Sequence, residues 1–248
     1  MSTDWPTGVD LIELDQVDST MAEAARRAPP LTSPTWIRAD AQSAGRGRSG
    51  RSWGHPTGNL AATLVFKPDC SAQQGAQRSF LAANALFDAL SAFVPVSKLA
   101  LKWPNDVLLS GGKVAGILLE ASGGAQLNWL SIGIGVNLAH APVIEDAAFE
   151  PTAVALHLDT QVEPPTPKTF LNILAAKYAS QEALLGTEGF DHIRAQWLSR
   201  AARLGEVITA RTSRDTITGT FRDVDAEGNL VLETPKGRET VTAADVYF

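Results

Sequence analysis

The chain changes character at Gly205, and this change limits its possible folds more than any other feature. Beyond Gly205 come four short runs rich in Thr and Val: Val207–Ala210, Thr216–Asp223, Leu230–Glu233 and Glu239–Thr242. Turns such as Glu227-Gly228-Asn229 separate them. Such spacing suits a small β module resembling an SH3 barrel. The 248 residues exceed the usual size of one domain. The reading is therefore a main domain over residues 1–202 followed by a β module over 203–248.

The main part mixes strand and helix signals, so its fold class is α+β with a mixed sheet. Leu11–Val17 reads as a strand, and Asp18-Ser19-Thr20 as a helix start in which Ser19 or Thr20 could cap. Pro29-Pro30 ends that helix, and Thr35–Ala39 and Leu60–Phe66 are strand-like. Phe80, Ala83, Leu86, Phe87, Leu90 and Phe93 fall at helical spacing, predicting a core-facing helix over 77–94. Leu99–Trp103, Val107–Leu109 and Val114–Ala121 then read as strands, with Ser110-Gly111-Gly112 as a hairpin signal. Leu127–Val136 is a further strand, read as ending at Gly133-Ile134-Gly135. Two helices follow, one striped by Phe170, Leu171, Leu174 and Tyr178, the other by Phe190, Ile193 and Trp197.

Composition narrows the function. Apolar content of 44% supports a real core, and a net charge of −6 argues against a protein that coats nucleic acid or anionic membrane. Any cationic site must then be a local cluster. The lone Cys70 permits no intramolecular disulfide, and it reads as a small buried residue. His55, His140, His157 and His192 lack zinc-site spacing. With no signal-peptide pattern and no apolar run of spanning length, a cytoplasmic protein is expected.

One cationic cluster stands out. Gly45-Arg46-Gly47-Arg48-Ser49-Gly50 has the GxGxxG spelling of dinucleotide sites, and it follows a strand. That motif must open a helix, whereas Arg51-Ser52-Trp53-Gly54-His55-Pro56 cannot start one, so the Rossmann reading fails. Arg46, Arg48 and Arg51 repel one another, and glycines between them let the chain fold back so that the guanidinium forks converge on an anion. The bland alternative is a solvated basic loop. Trp53, an aromatic in polar surroundings, favours ligand contact.

Lys102-Trp103-Pro104-Asn105-Asp106 lies at a strand junction. Asn105 and Asp106 offer oxygens that can hold Mg²⁺, although an ordinary tight turn uses the same residues. Lys113 opens the next strand, Val114-Ala115-Gly116-Ile117-Leu118-Leu119-Glu120. A carboxamide, a carboxylate and a lysine around one hairpin suggest a site more than a surface.

GRGRSGRSW, KWPND, KVAGILLE and GIGVNL, in this order, strongly resemble the biotin protein ligases (holocarboxylase synthetases), with near-continuous motif matches from Asp18 to Asn137. The resemblance implies a class II synthetase-like catalytic domain with a C-terminal β module. It also implies activation of biotin by ATP and Mg²⁺ and transfer of the biotinyl group to a lysine of a biotin carboxyl carrier domain. Ser19, Thr20 and Gln42 match positions that hold the ureido ring. Gly45, Arg46, Gly47 and Arg48 match the loop that closes over biotin and the adenylate, and Arg51 and Trp53 its continuation beside the nucleotide. Lys113 matches the lysine at the reacting carboxylate and α-phosphate. Gly116 and Ile117 match positions near the biotin tail. Asn137 matches a position beside the adenine, and Asn105 and Asp106 the turn near phosphate and metal. Lys113, Arg48 and Asp106 are thereby the expected catalytic residues, Asp106 as a candidate base for the acceptor lysine.

Two departures from the family pattern stand out. Met21 replaces the usual Asn after Ser-Thr, so one amide contact is lost or made by backbone. Fewer than 20 residues precede Asp18, so the winged helix-turn-helix of the ligases that double as repressors is not expected. The rival readings are a lipoate or octanoate ligase, a non-catalytic biotin-binding protein and a repressor. Ser19, Thr20 and Gln42 favour a ureido ring over a purely apolar tail. Pairing of two subunits through edge strands is also open.

Overall fold

The structure, a computed structural model, describes residues 4–54, 56–142 and 150–248. His55 lies outside the described residues. The N-terminal part runs β1 (Asp10–Val17), α1 (Thr20–Arg27), β2 (Thr35–Gln42) and β3 (Leu60–Phe66). It continues through α2 (Ala72–Ala76), α3 (Arg78–Leu90), β4 (Leu99–Lys102), β5 (Asp106–Leu109), β6 (Gly112–Gly123) and β7 (Leu127–Val136). Then come α4 (Pro167–Leu198) and β8 (Val207–Arg211), β9 (Thr216–Val224), β10 (Leu230–Thr234), β11 (Gly237–Val241) and β12 (Asp245–Tyr247). Among the described residues no helix is long and apolar enough to cross a membrane.

The first seven strands form one mixed sheet in the order β1-β2-β3-β7-β6-β5-β4, in which only β1 and β2 run parallel. Its two faces differ because strand side chains alternate. Along β7, Leu130, Ile132, Ile134 and Val136 join the main core, which also takes in Leu81, Leu86 and Leu90 of α3 and Phe170, Leu174 and Trp197 of α4. Ser131, Gly133 and Gly135 occupy the alternate positions. Gly133-Ile134-Gly135 therefore does not end the strand. Its glycines lie within β7, paired with Leu118 and Gly116 of β6.

Most expected elements are present, with differences at their ends. The helix placed over 77–94 is α3, which ends at Leu90, and it is preceded by an unexpected short helix, α2, that opens on a capping box between Ser71 and Gln74. The two expected later helices are both present within α4, on either side of a kink at Gly189, whose φ of 75° only glycine adopts readily. Ser110 and Gly111 both have positive φ (50° and 86°), as a two-residue type I′ hairpin turn requires. The sequence reading omitted β12.

The last five strands form an antiparallel sheet in the order β11-β10-β9-β8-β12. Ile208, Phe221, Leu230 and Val246 of this sheet belong to the same buried cluster as the main core. Polar contacts dock it as well. Trp103 Nε1 donates to the Gly228 carbonyl at 3.0 Å, and Arg194 Nη1 to that of Val224 at 2.8 Å. This docking brings Ala244 and Asp245 to the mouth of a cavity on the mixed sheet.

Candidate active site

The glycine face of β6 and β7 floors a cavity of about 340 Å³. One end is neutral and polar. Ser19 sits at the N-cap position of α1 in extended conformation, yet its side chain makes no capping hydrogen bond. It lines the cavity instead. Gln42 Oε1 accepts from Thr20 N at 2.9 Å and from Thr20 Oγ1 at 3.2 Å, and Thr63 Oγ1 supports Thr20 Oγ1 at 2.9 Å. These bonds fix the Gln42 carboxamide. Gly45 lies against it, since a Cβ there would sit 2.9 Å from Gln42 Nε2. Met21 is buried and covers Gly133, where a Cβ would fall 2.6 Å from the Met21 sulfur.

The middle of the cavity depends on missing side chains. A Cβ at Gly135 would lie 2.3 Å from Trp53 Cε2, and one at Gly116 3.0 Å from Trp53 Cζ3. The indole thus lies flat on two glycines paired across β6 and β7, and the Lys113 ammonium sits 5.4 Å from the ring centre. Ile117, next to Gly116, is bound to both the backbone and the side chain of Asn105: Ile117 N donates to the Asn105 carbonyl at 2.9 Å, and Asn105 Nδ2 to the Ile117 carbonyl at 2.5 Å.

The other end is cationic. Asp106 is buried, with Lys113 Nζ 2.6 Å from Oδ1 and Lys102 Nζ 3.3 Å from Oδ2. Burial pushes the Asp106 carboxyl up, but the Lys113 and Lys102 charges outweigh it and hold it below the ordinary aspartate value. For Lys102 burial prevails, and the like charge of Lys113 adds to it; together they pull its ammonium down against the opposing pull of Asp106. A carboxylate held ionised between two cations is a counter-ion, and a poor base. Nor does it suit a metal: both Asp106 oxygens face ammonium groups, and Asn105 Oδ1 accepts from Arg48 Nη1 at 3.2 Å. The oxygens expected to hold Mg²⁺ are already turned to cationic side chains.

The arginine loop folds back on itself as a small hairpin. Trp53 N donates to the Gly45 carbonyl (2.9 Å), Gly47 N to that of Arg51 (2.7 Å), and Arg46 bridges Ser52. A single 3-10 turn over Arg48–Gly50 reverses the chain, with Gly50 at φ 72°. The three guanidinium groups do not converge. Arg46 pairs with Glu120 at 3.0 Å, Arg51 with Asp245 at 2.8 Å, and Arg48 reaches Asn105 and, at 3.5 Å, the Ala244 carbonyl. Mutual repulsion is relieved by partners on three separate segments.

Of the expected site residues, Ser19, Thr20, Gln42, Arg46, Gly47, Arg48, Arg51, Trp53, Asn105, Asp106, Lys113, Gly116, Ile117 and Asn137 all line this one cavity. Gly45 supports it from behind. The Asn137 amide is already committed: Nδ2 donates to the Thr152 carbonyl (3.0 Å) and weakly to that of Lys113 (3.4 Å). It ties the end of β7 to the start of β6. The sequence reading assigned no role to Lys102, Ala244 or Asp245. Lys102 was visible in its motif, but its burial was not; Ala244 and Asp245 arrive only through the docking of the second sheet.

A two-ended cavity on a mixed sheet, closed by a basic loop and by a second β module, defines a ligand-converting enzyme fold rather than a docking module. The chain belongs to the Biotin/lipoate A/B protein ligase family, whose model matches residues 12–137, and the model of the Biotin protein ligase C terminal domain matches residues 204–248. It is 50% identical over 95% of its length to a biotin–[acetyl-CoA-carboxylase] ligase of Paracoccus denitrificans, 99% of which is covered. It is 31% identical over 96% of its length to the bifunctional ligase/repressor BirA of Bacillus spizizenii, covering 74% of that protein. The fold matches that of the biotin protein ligase of Aquifex aeolicus in complex with biotin and ATP. There the TM-score is 0.79 at 24% identity, with 96% of this chain and 98% of that one covered.

Proposed function

We propose that this chain condenses biotin with ATP to biotinyl-5′-AMP, releasing pyrophosphate, and passes the biotinyl group to the ε-amine of a lysine on a biotin carboxyl carrier domain. The observation that carries this reading is the polarity of the cavity, neutral and hydrogen-bonding at Ser19, Thr20 and Gln42, cationic at Lys113, Lys102 and Arg48. Biotin has the matching polarity, a neutral ureido ring at one end and a carboxylate at the other. A lipoate or octanoate tail would offer no acceptor to Gln42 Nε2, whose Oε1 is already held by Thr20, and an unmet donor is costly in a desolvated site. The 50% identity to the Paracoccus ligase supports the same choice.

In the first step the biotin carboxylate attacks the α-phosphorus of ATP and pyrophosphate leaves. Two anions must meet, so the barrier is electrostatic, and Lys113 and Arg48 are placed to neutralise the charge that builds up. Arg51, Trp53, Asn105 and Asn137 border the space left for the nucleotide. Mg²⁺ belongs to this reading as a companion of the ATP phosphates, because Asn105 and Asp106 are turned to cations. In the second step the acceptor amine attacks the acyl carbon and AMP leaves. The hairpin carrying Arg46, Gly47 and Arg48 shields the mixed anhydride from water. Residues 1–202 hold both ligands and residues 203–248 close the mouth through Ala244 and Asp245. A cytoplasmic protein without operator binding fits the net charge of −6. Pairing of two chains through the open β1 edge is compatible with this arrangement.

Exchange of labelled pyrophosphate into ATP, dependent on biotin, tests the first step. Mass spectrometry of a carrier domain after incubation with biotin and MgATP tests the second. Exchange driven by lipoate or octanoate in place of biotin would favour the rival acyl ligase. Folded protein that binds biotin and supports no exchange would leave only a binding role.

A further inference from the structure

Two ammonium groups share one buried carboxylate at the cationic end of the cavity. Lys102 is 6% exposed and Asp106 9%, and the two face each other across the β4–β5 ladder. Asp106 in turn faces Gly116 of β6. Lys113, whose side chain is 29% exposed, enters from the start of β6, beside a register shift in its pairing with β5. Lys102 and Asp106 are thus held by regular ladders in the sheet, while Lys113 has room to move. The group carries one net positive charge.

With its ammonium 2.6 Å from Asp106 Oδ1, Lys113 has its charge neutralised by that carboxylate rather than offered to a phosphate. With Lys113 as its only cation, a buried carboxylate would hold it fast, because an ion left unpaired out of water is costly. Lys102, on the opposite oxygen, removes that obstacle. Resting on the proposed ligase reading, we infer that Lys102 is a positioning residue: it keeps Asp106 compensated while Lys113 turns from that carboxylate to the reacting phosphate. Lys102 acts through Asp106, and Lys113 remains the group that meets substrate.

The test is a double-mutant cycle of Lys102→Met and Asp106→Asn, read by biotin-dependent pyrophosphate exchange and by KM for biotin. In the wild-type background Lys102→Met should hold Lys113 on Asp106, slow exchange by on the order of 10²-fold because the Lys113 charge no longer reaches the phosphate, and leave KM for biotin in place. In the Asp106→Asn background, with no buried carboxylate left for Lys102 to compensate, the same substitution should cost less than about 3-fold. Lys102→Arg should retain most of the rate. Equal losses in both backgrounds would overturn the inference, since Lys102 would then act on substrate directly. An inactive Asp106→Asn variant would also overturn it, by giving the carboxylate a role beyond holding charge. If Lys102→Met fails to fold, the comparison within the Asp106→Asn background still decides. Failure of the ligase reading itself appears separately, as absence of exchange in the wild type.

Discussion

The two ends of the cavity are built on opposite plans. The neutral end comes from two segments that the β1–β2 pairing makes neighbours, and hydrogen bonds among Thr20, Gln42 and Thr63 of the adjoining β3 hold it in place. The cationic end gathers Lys102, Asp106, Lys113, the arginine hairpin and the first residue of β12, and ion pairs hold it. A neutral end held in this way suits recognition of a ring that does not change during the reaction. A set of ion pairs suits a place where charge appears and moves, because partners can be exchanged at modest cost once each charge retains a second neighbour.

If that division is right, substitutions at one end should spare the other. The largest effect is expected for Lys113→Ala, which should slow adenylate formation by on the order of 10²–10³-fold and leave biotin affinity nearly intact. Pyrophosphate exchange beside a biotin titration would check both, and a matching loss of biotin affinity would break the comparison. Next is the floor between the ends. Gly135→Val puts carbon where the Trp53 indole lies, so biotin should bind about tenfold more weakly or worse, with altered tryptophan fluorescence. Gln42→Ala removes one anchor of the neutral end and should raise KM for biotin by about fivefold to tenfold. KM for ATP should not follow.

The smallest effect concerns pH. The Asp106 carboxyl lies below its ordinary value of 3.8 in the folded chain, so its ion pairs stabilise fully above that pH. That contribution is lost as pH falls through the folded value, where the native state finally takes up the proton. Melting temperatures measured from pH 6 to pH 3 should therefore fall more steeply for wild type than for Asp106→Asn. Parallel curves would mean that the cluster contributes nothing to folding.

Much of the fold was legible because periodicity is local. Leu60–Phe66 and Leu127–Val136 appear as strands with the expected bounds, and the stripe from Phe80 to Leu90 is a buried helix face. The break between the two later helices was legible as a change of stripe, and it falls at Gly189, where the backbone is not helical. Other features depend on contacts that no local pattern encodes. Ser19 has the residue type of an N-cap and the N-cap position, yet its side chain makes no cap bond and lines the cavity. The glycines of β7 read as a strand end, and their role as a floor appears only when Trp53 is laid on them. The short β12 has too few residues for a periodic signal, and its pairing with β8 creates it.

By itself the amino-acid sequence determined which residue types meet: an amide and hydroxyls near the first helix, arginines spaced by glycine, and a lysine beside a carboxylate. Hydrophobic spacing also determined where most of the helices and strands lie. Only the tertiary structure decided how charge is shared. The arginines part because each finds its own partner, and Asp106 is a counter-ion because β4 carries a second lysine into the same buried space. Electrostatic roles depend on burial and on every neighbour within a few ångströms, and those neighbours come from five separate segments of the chain.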